Sequence, residues 1–287
     1  MTNEEKVETD CRVEVGGVFV KKSAFTMITR FVLMLSSLGA SILTARLLGP
    51  ALKGELAIIL LAPTIFISLG GISLNNSNVF MIGRRKYRLN EIFWNTVFFG
   101  IGIGLFLVSI FIIFRPWLLP FFKNADENLL LIAILTIPLS LLYSYGIYIA
   151  LGQRRVVIYN CLKTIEPIFY LIGLGIFVWW LKMGLTGGVN AYIIGIVAGF
   201  LAFLLYARKN IPLKFGVNIE LGKISIIYAL KCHLGSTTWF LTRRLAILLV
   251  NRFLFPEDVG YYVISVSISE ALWHLPQTIS TVLFPEI

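Results

Sequence analysis

Eight apolar runs, each close to the ~20 residues a helix needs to cross a hydrocarbon core, dominate this sequence and leave it little choice of fold. They cover residues 23–45, 55–73, 91–114, 129–151, 164–181, 191–206, 225–250 and 259–283, with short polar stops between them. Only 14% of the 287 residues are charged and 57% are apolar, where soluble domains carry about a quarter charged. A mean hydropathy of +0.85 means more apolar surface than a water-soluble fold can hide. The sequence therefore predicts an all-α, polytopic membrane protein. The first 22 residues are polar, and the run after them is too long for a signal peptide and lacks a small-residue cleavage site. The first span is expected to stay in the mature protein.

The formal net charge of +10 points to anionic lipid and cytoplasmic loops rather than to nucleic acid, because the basic residues flank hydrophobic spans. If the N-terminus is cytoplasmic, fourteen of the 25 Lys and Arg residues lie on the inner side, among them Arg84, Arg85, Lys86 and Arg88. Six lie in outer loops (Arg46, Lys53, Arg115, Lys123, Lys182 and Arg252), and five lie within spans. Both termini are thus expected in the cytoplasm. The chain divides into a cytoplasmic tail (1–22), a six-span bundle (23–206), a polar linker reading "RKNIPLKFGVNIELGK" (207–224), and two further spans (225–287).

Two of the stops resemble each other. "ARLLGPALKGEL" begins at Ala45 and "NRFLFPEDVGYY" at Asn251, and a single offset of 206 places Arg46 on Arg252, Pro50 on Pro256 and Gly54 on Gly260. The flanking spans carry polar faces in the same register. The first span has Thr26, Arg30, Ser37, Ser41 and Thr44, and the second has Thr64, Ser68, Gly71 and Asn75. At the offset, the second face falls on Glu270, His274, Gln277 and Thr281, and Ser37 falls on Arg243. The seventh span is therefore read as the start of a second copy of the first bundle, as in repeat-built transporters.

Charges inside spans are expensive in lipid and normally face a protein interior or a watery cavity. Arg30 and Arg243, each on a polar stripe, are the cavity candidates, with Arg244 beside them and Glu270 as an acidic partner. Arg243 and Arg244 point ~100° apart on a helix, so at most one of them is expected to be central. Ser37 and Asn75 join them as substrate-binding candidates, and Glu270, Glu166 and His274 are the ion-coupling candidates. Glu166 precedes Pro167, which predicts a kink. The "NNSN" cluster at Asn75–Asn78 reads as the stop of the second span, and Trp117, Trp179 and Trp180 near span ends read as an interfacial belt. Cys11, Cys161 and Cys232 are too far apart for a metal or disulfide framework. No GxSxG, HExxH or P-loop motif occurs, so neither catalysis nor a metal or other cofactor is expected.

"ARLLGPALKGELAIILLAPTIFISLGG" and "FLTRRLAILLVNRFLFPEDVGYYVISVSISEALWHLPQTISTVLFPEI" resemble the second, seventh and eighth helices of the O-antigen-type polysaccharide-biosynthesis flippases. That family belongs to the multidrug/oligosaccharidyl-lipid/polysaccharide exporter superfamily, and the resemblance runs from Lys21 onward. It implies two six-helix lobes around a central cavity, with only the first two helices of the second lobe present here, hence a C-terminally truncated chain. It also implies flipping of a polyprenyl-diphosphate-linked oligosaccharide across the bacterial cytoplasmic membrane by alternating access, with membrane lipid and surface-polysaccharide assembly proteins as partners. A peptidoglycan-precursor cargo, a multidrug exporter of the same superfamily and a non-functional remnant are the alternatives. A drug exporter wants carboxylates for a cationic cargo, and the first span has none.

Overall fold

The computed structural model describes residues 3–123, 125–212 and 214–283; the side chains of residues 3–23, 239, 243, 271 and 273–283 lie outside that description. Helices dominate the described residues, as lipid demands of a backbone that must satisfy its own hydrogen bonds. The stretch Asn3–Gly70 folds at Gly49 into two limbs, α1 (residues 3–48) and α2 (residues 50–70). Gly49 takes φ 74° and ψ 172°, a left-handed conformation that a Cβ would resist, and Pro50 then begins the new limb with its fixed φ. α3 (Leu74–Gly83), α4 (Leu89–Ile113), α5 (Glu127–Gly152), α6 (Val156–Trp180) and α7 (Gly184–Asn210) follow. α8 (Ile219–Phe253) and α9 (Pro256–Leu283) come last among the described residues.

Helix lies at each of the eight expected ranges, and most of the helices overrun them. Among the described residues, five stretches are long and apolar enough to cross a membrane: Ala24–Gly70, which holds both limbs of the first hairpin, and α4, α5, α6 and α7. α8 is interrupted by the polar run His233–Thr238 and by Arg243 and Arg244. Side chains on the outer faces are apolar yet solvent-accessible, with Phe98 at 63%, Phe106 at 64% and Ile113 at 70%. A face like this needs lipid as its solvent. Trp117, Trp179 and Trp180 are exposed near helix ends, in keeping with an interfacial belt.

The main core joins α2 (Ile58, Leu61 and Ala62) to α4, α5, α8 and α9 through Phe111, Ile134, Leu141, Ile247 and Val259. Lipid tails are as apolar as leucine, so what holds these helices together is close packing and hydrogen bonding rather than escape from water. The linker is shorter than expected. α7 runs on to Asn210, and Asn218 caps α8 by accepting a hydrogen bond from the Leu221 N–H at 3.0 Å.

Two further sequence expectations are corrected. "NNSN" does not stop the second span: α2 ends at Gly70, and Asn75–Asn78 lie within the first half of α3. There Asn78 donates to the Tyr145 carbonyl at 3.1 Å and accepts from the Thr96 hydroxyl at 3.2 Å, which ties α3 to α4 and α5. Lys53, expected in an outer loop, lies in α2 and is only 8% exposed. The kink at Gly49 lets α2 fold back on α1, so Lys53 Nζ reaches Thr44 Oγ1 at 2.7 Å.

Candidate functional site

Four residues of the first polar stop have a visible task. Gly49 turns the chain, Lys53 bonds back to α1, and Glu55 Oε1 accepts the Asp126 N–H at 2.9 Å just before α5 begins. Gly54 packs directly on the Pro256 carbonyl, and Gly260 packs directly on the Pro50 carbonyl, leaving no room for a Cβ at either. The contact is reciprocal. Residues matched by the offset of 206 meet one another across the interface, as a two-fold relation between repeats requires. Nearby, Asn251 Nδ2 donates to the Phe121 carbonyl at 2.9 Å, and Lys123 Nζ donates to the Arg252 carbonyl at 2.9 Å.

Further along α2 toward Gly70 the hairpins separate and line a half-open cavity of about 360 Å³. Lys53, Ala57, Leu60 and Thr64 line it from α2, Tyr170 from α6, Phe240, Arg244 and Ile247 from α8, and Val263 and Glu270 from α9. Ala57 and Val263 are related by the offset, and so are Thr64 and Glu270, so the cavity lies along the axis relating the repeats. Across it, Arg244 Nη2 stands 3.1 Å from Glu270 Oε1 and 3.2 Å from Oε2.

Past the cavity the hairpins meet again. His233 on α8 pairs with the Leu69 carbonyl (Nε2, 3.2 Å) and with Ser73 Oγ (Nδ1, 3.4 Å). Ser73 Oγ lies 3.1 Å from Ser236 Oγ, and the Thr237 hydroxyl donates to the Ser68 carbonyl at 3.0 Å. The cavity is thus bounded along the bundle by a backbone contact at one end and a polar side-chain cluster at the other.

Of the sequence candidates, Arg244 and Glu270 are brought together in this cavity. Arg30 and Ser37 are exposed on α1 and Asn75 is half-buried on α3, none of them in the cavity wall. Glu166 is half-buried in α6, one turn before the cavity-lining Tyr170, with Pro167 held inside the helix. The side chains of Arg243 and His274 lie outside the described residues. Sequence reasoning missed Lys53. The available signal was a lysine between the turn glycine and the docking glycine, in a stop matched by a second stop with valine at the equivalent position. Among the described residues, no cluster of His, Cys, Asp and Glu has the makings of a metal site.

Residues 43–287 match the family described as "Polysaccharide biosynthesis protein". No curated protein matches the chain significantly. Among solved structures, one named only "protein A" is similar over 92% of this chain at 18% identity and a TM-score of 0.69. The Vibrio cholerae MATE transporter VcmN in its bent form is similar over 92% of the chain at 14% identity and a TM-score of 0.58. An outward-facing multidrug resistance MATE family transporter of the MOP superfamily gives 92%, 14% and 0.56. At these identities the likeness is one of fold. The chain spans 63%, 65% and 67% of those three structures, so it is about two thirds of their length.

Proposed function

Since this chain belongs to the polysaccharide biosynthesis protein family of the multidrug/oligosaccharidyl-lipid/polysaccharide exporter superfamily, we propose that it serves to flip a polyprenyl-diphosphate-linked oligosaccharide across the bacterial cytoplasmic membrane. The observation that carries this reading is the cavity between the repeat-related hairpins, with Lys53 and Arg244 in its wall. A diphosphate moving through lipid needs cations to replace its water. Arginine offers a planar fork to phosphate oxygens and lysine a compact point charge. In this reading Arg244 and Lys53 hold the head group while the polyprenyl tail stays in the bilayer.

The lobes rock about the glycine contact, and the His233 cluster parts to open the cavity on that side. Arg30, Arg243, Ser37 and Asn75 then border the path, and Glu270, Glu166 and His274 are the groups offered for a coupling ion. Residues 23–206 form the first lobe and 225–287 the first two helices of the second, with the N-terminus in the cytoplasm. Membrane lipid and surface-polysaccharide assembly proteins are the partners, and no chemical step is assigned to the chain. Export of cationic drugs is the competing reading, since Glu270 puts a carboxylate in the cavity. Arg244 holds that carboxylate, and Lys53 adds a further positive charge.

The test is made in cells deleted for the gene, by measuring surface polysaccharide and lipid-linked oligosaccharide retained in the inner leaflet. Loss of the first with accumulation of the second, reversed by the gene but not by Arg244→Ala at equal membrane abundance, is the expected result. Unchanged polysaccharide together with increased drug sensitivity would overturn the flippase reading in favour of export.

A further inference from the structure

The two cations of the cavity are held in different ways. Lys53 is buried and bonded to a neutral hydroxyl, and among the described residues no carboxylate pairs with it. Arg244 faces a carboxylate in the same cavity, with both oxygens of Glu270 on its Nη2. Among the described residues Nε and Nη1 of Arg244 make no hydrogen bond, so Glu270 engages one edge of a guanidinium that has five donors. The side chains of the pair are 34% and 28% exposed, so an incoming anion can reach them. Glu270 also stands where the first repeat has the neutral Thr64. A neutral residue at that place is compatible with the fold, so what the carboxylate adds is charge.

We infer that Glu270 is an internal counter-anion that competes with cargo for Arg244, and that this competition weakens the hold on head groups linked through a diphosphate while sparing those linked through a single phosphate, so that a diphosphate cargo can leave the cavity. The inference rests on the reading of the cavity as an anion path. A phosphodiester has one negative charge, which Lys53 alone can balance while the Arg244–Glu270 pair stays intact. A diphosphate diester has two. Its second phosphate takes Arg244 by the open donors on Nε and Nη1, and because two anions on one cation repel, it weakens the hold of Glu270 on Nη2. The competition lowers affinity for the diphosphate, and recovery of the pair drives the head group off Arg244 at release. Glu270 is thus a release residue that works by weakening the bound state of a diphosphate cargo.

The experiment uses the full chain in lipid nanodiscs and two probes with the same tail and sugar: N-acetylglucosamine linked to farnesol through a diphosphate or through a monophosphate. Glu270→Gln should tighten diphosphate binding about tenfold, the size of one charged hydrogen bond removed from competition, and leave monophosphate binding unchanged. Arg244→Gln should weaken the diphosphate probe to the level of the monophosphate probe. Arg244→Gln combined with Glu270→Gln should match Arg244→Gln alone. Glu270→Asp, which keeps the charge but shortens its reach, guards against a folding defect in the glutamine variant and should tighten binding by a smaller factor. Diphosphate binding that is unchanged or weaker in both Glu270 variants, with Arg244→Gln still impaired, would overturn the competition and leave the anion path standing. Equal binding of the diphosphate probe by wild type and Arg244→Gln, or none by either, would overturn both.

Discussion

The two ends of the interface between the hairpins are built from opposite materials. At the turn end, Gly54 and Gly260 bring backbone against backbone, and no side chain can move aside to relieve a misfit. At the far end, His233, Ser73, Ser236 and Thr237 meet through hydroxyls and an imidazole, each of which water can serve equally well. A backbone contact between small residues is gained or lost as a whole, because packed interfaces deform little. A polar side-chain cluster comes apart at small net cost, since each bond adds only ~1 kcal/mol over its hydrated state. The difference teaches where an interface of this kind is fixed and where it yields.

The largest effect is expected at the fixed end. Gly54→Ala or Gly260→Ala drives a methyl group into a proline carbonyl and should lower stability by about 3 kcal/mol, read as a fall in melting temperature in detergent. The double variant should cost much less than the sum, because one separation of the hairpins relieves both collisions. Wild-type melting in either single variant would remove the contrast between the ends. Asn251→Ala, which strips the Phe121 carbonyl of its donor, should cost about 1–2 kcal/mol in the same assay. The smallest change in stability, about 1 kcal/mol or less, is expected for His233→Ala at the yielding end. To sharpen the point, Ser236→Cys in a chain with Cys11, Cys161 and Cys232 replaced by serine should react with a water-soluble thiol reagent. Adding His233→Ala should speed that reaction several-fold. An unchanged labelling rate would mean that His233 does not hold this end closed.

Much of the fold was legible in the sequence because the bilayer thickness imposes a ruler and proline and glycine punctuate it. The ruler measures hydrocarbon rather than helix, which is why most helices overran their apolar cores. Gly54 and Gly260 were matched from spacing alone, and they turned out to touch the partner repeat's prolines. The site was less legible. A polar stripe says that a helix has a preferred face, not which neighbour the face meets, so Arg30 and Ser37 were grouped with residues that line the cavity although both are exposed. Lys53 was misplaced because its burial depends on the angle at which α2 returns along α1, and local composition carries no trace of that angle. Arg244 and Glu270 were paired from charge and span position, where the demand for a counter-ion in lipid leaves few choices.

The bond from Lys53 to Thr44 spans nine residues and closes inside the first hairpin, and the Arg244–Glu270 pair closes inside the second. A lysine inserted alone into the middle of a bilayer costs about 3 kcal/mol on translocon-derived scales. Here the ribosome has to deliver only one hairpin for its buried cation to find a partner. Biogenesis can therefore proceed hairpin by hairpin, and the early intermediate, residues 3–70 in lipid without anything that follows, already carries its buried lysine hydrogen-bonded.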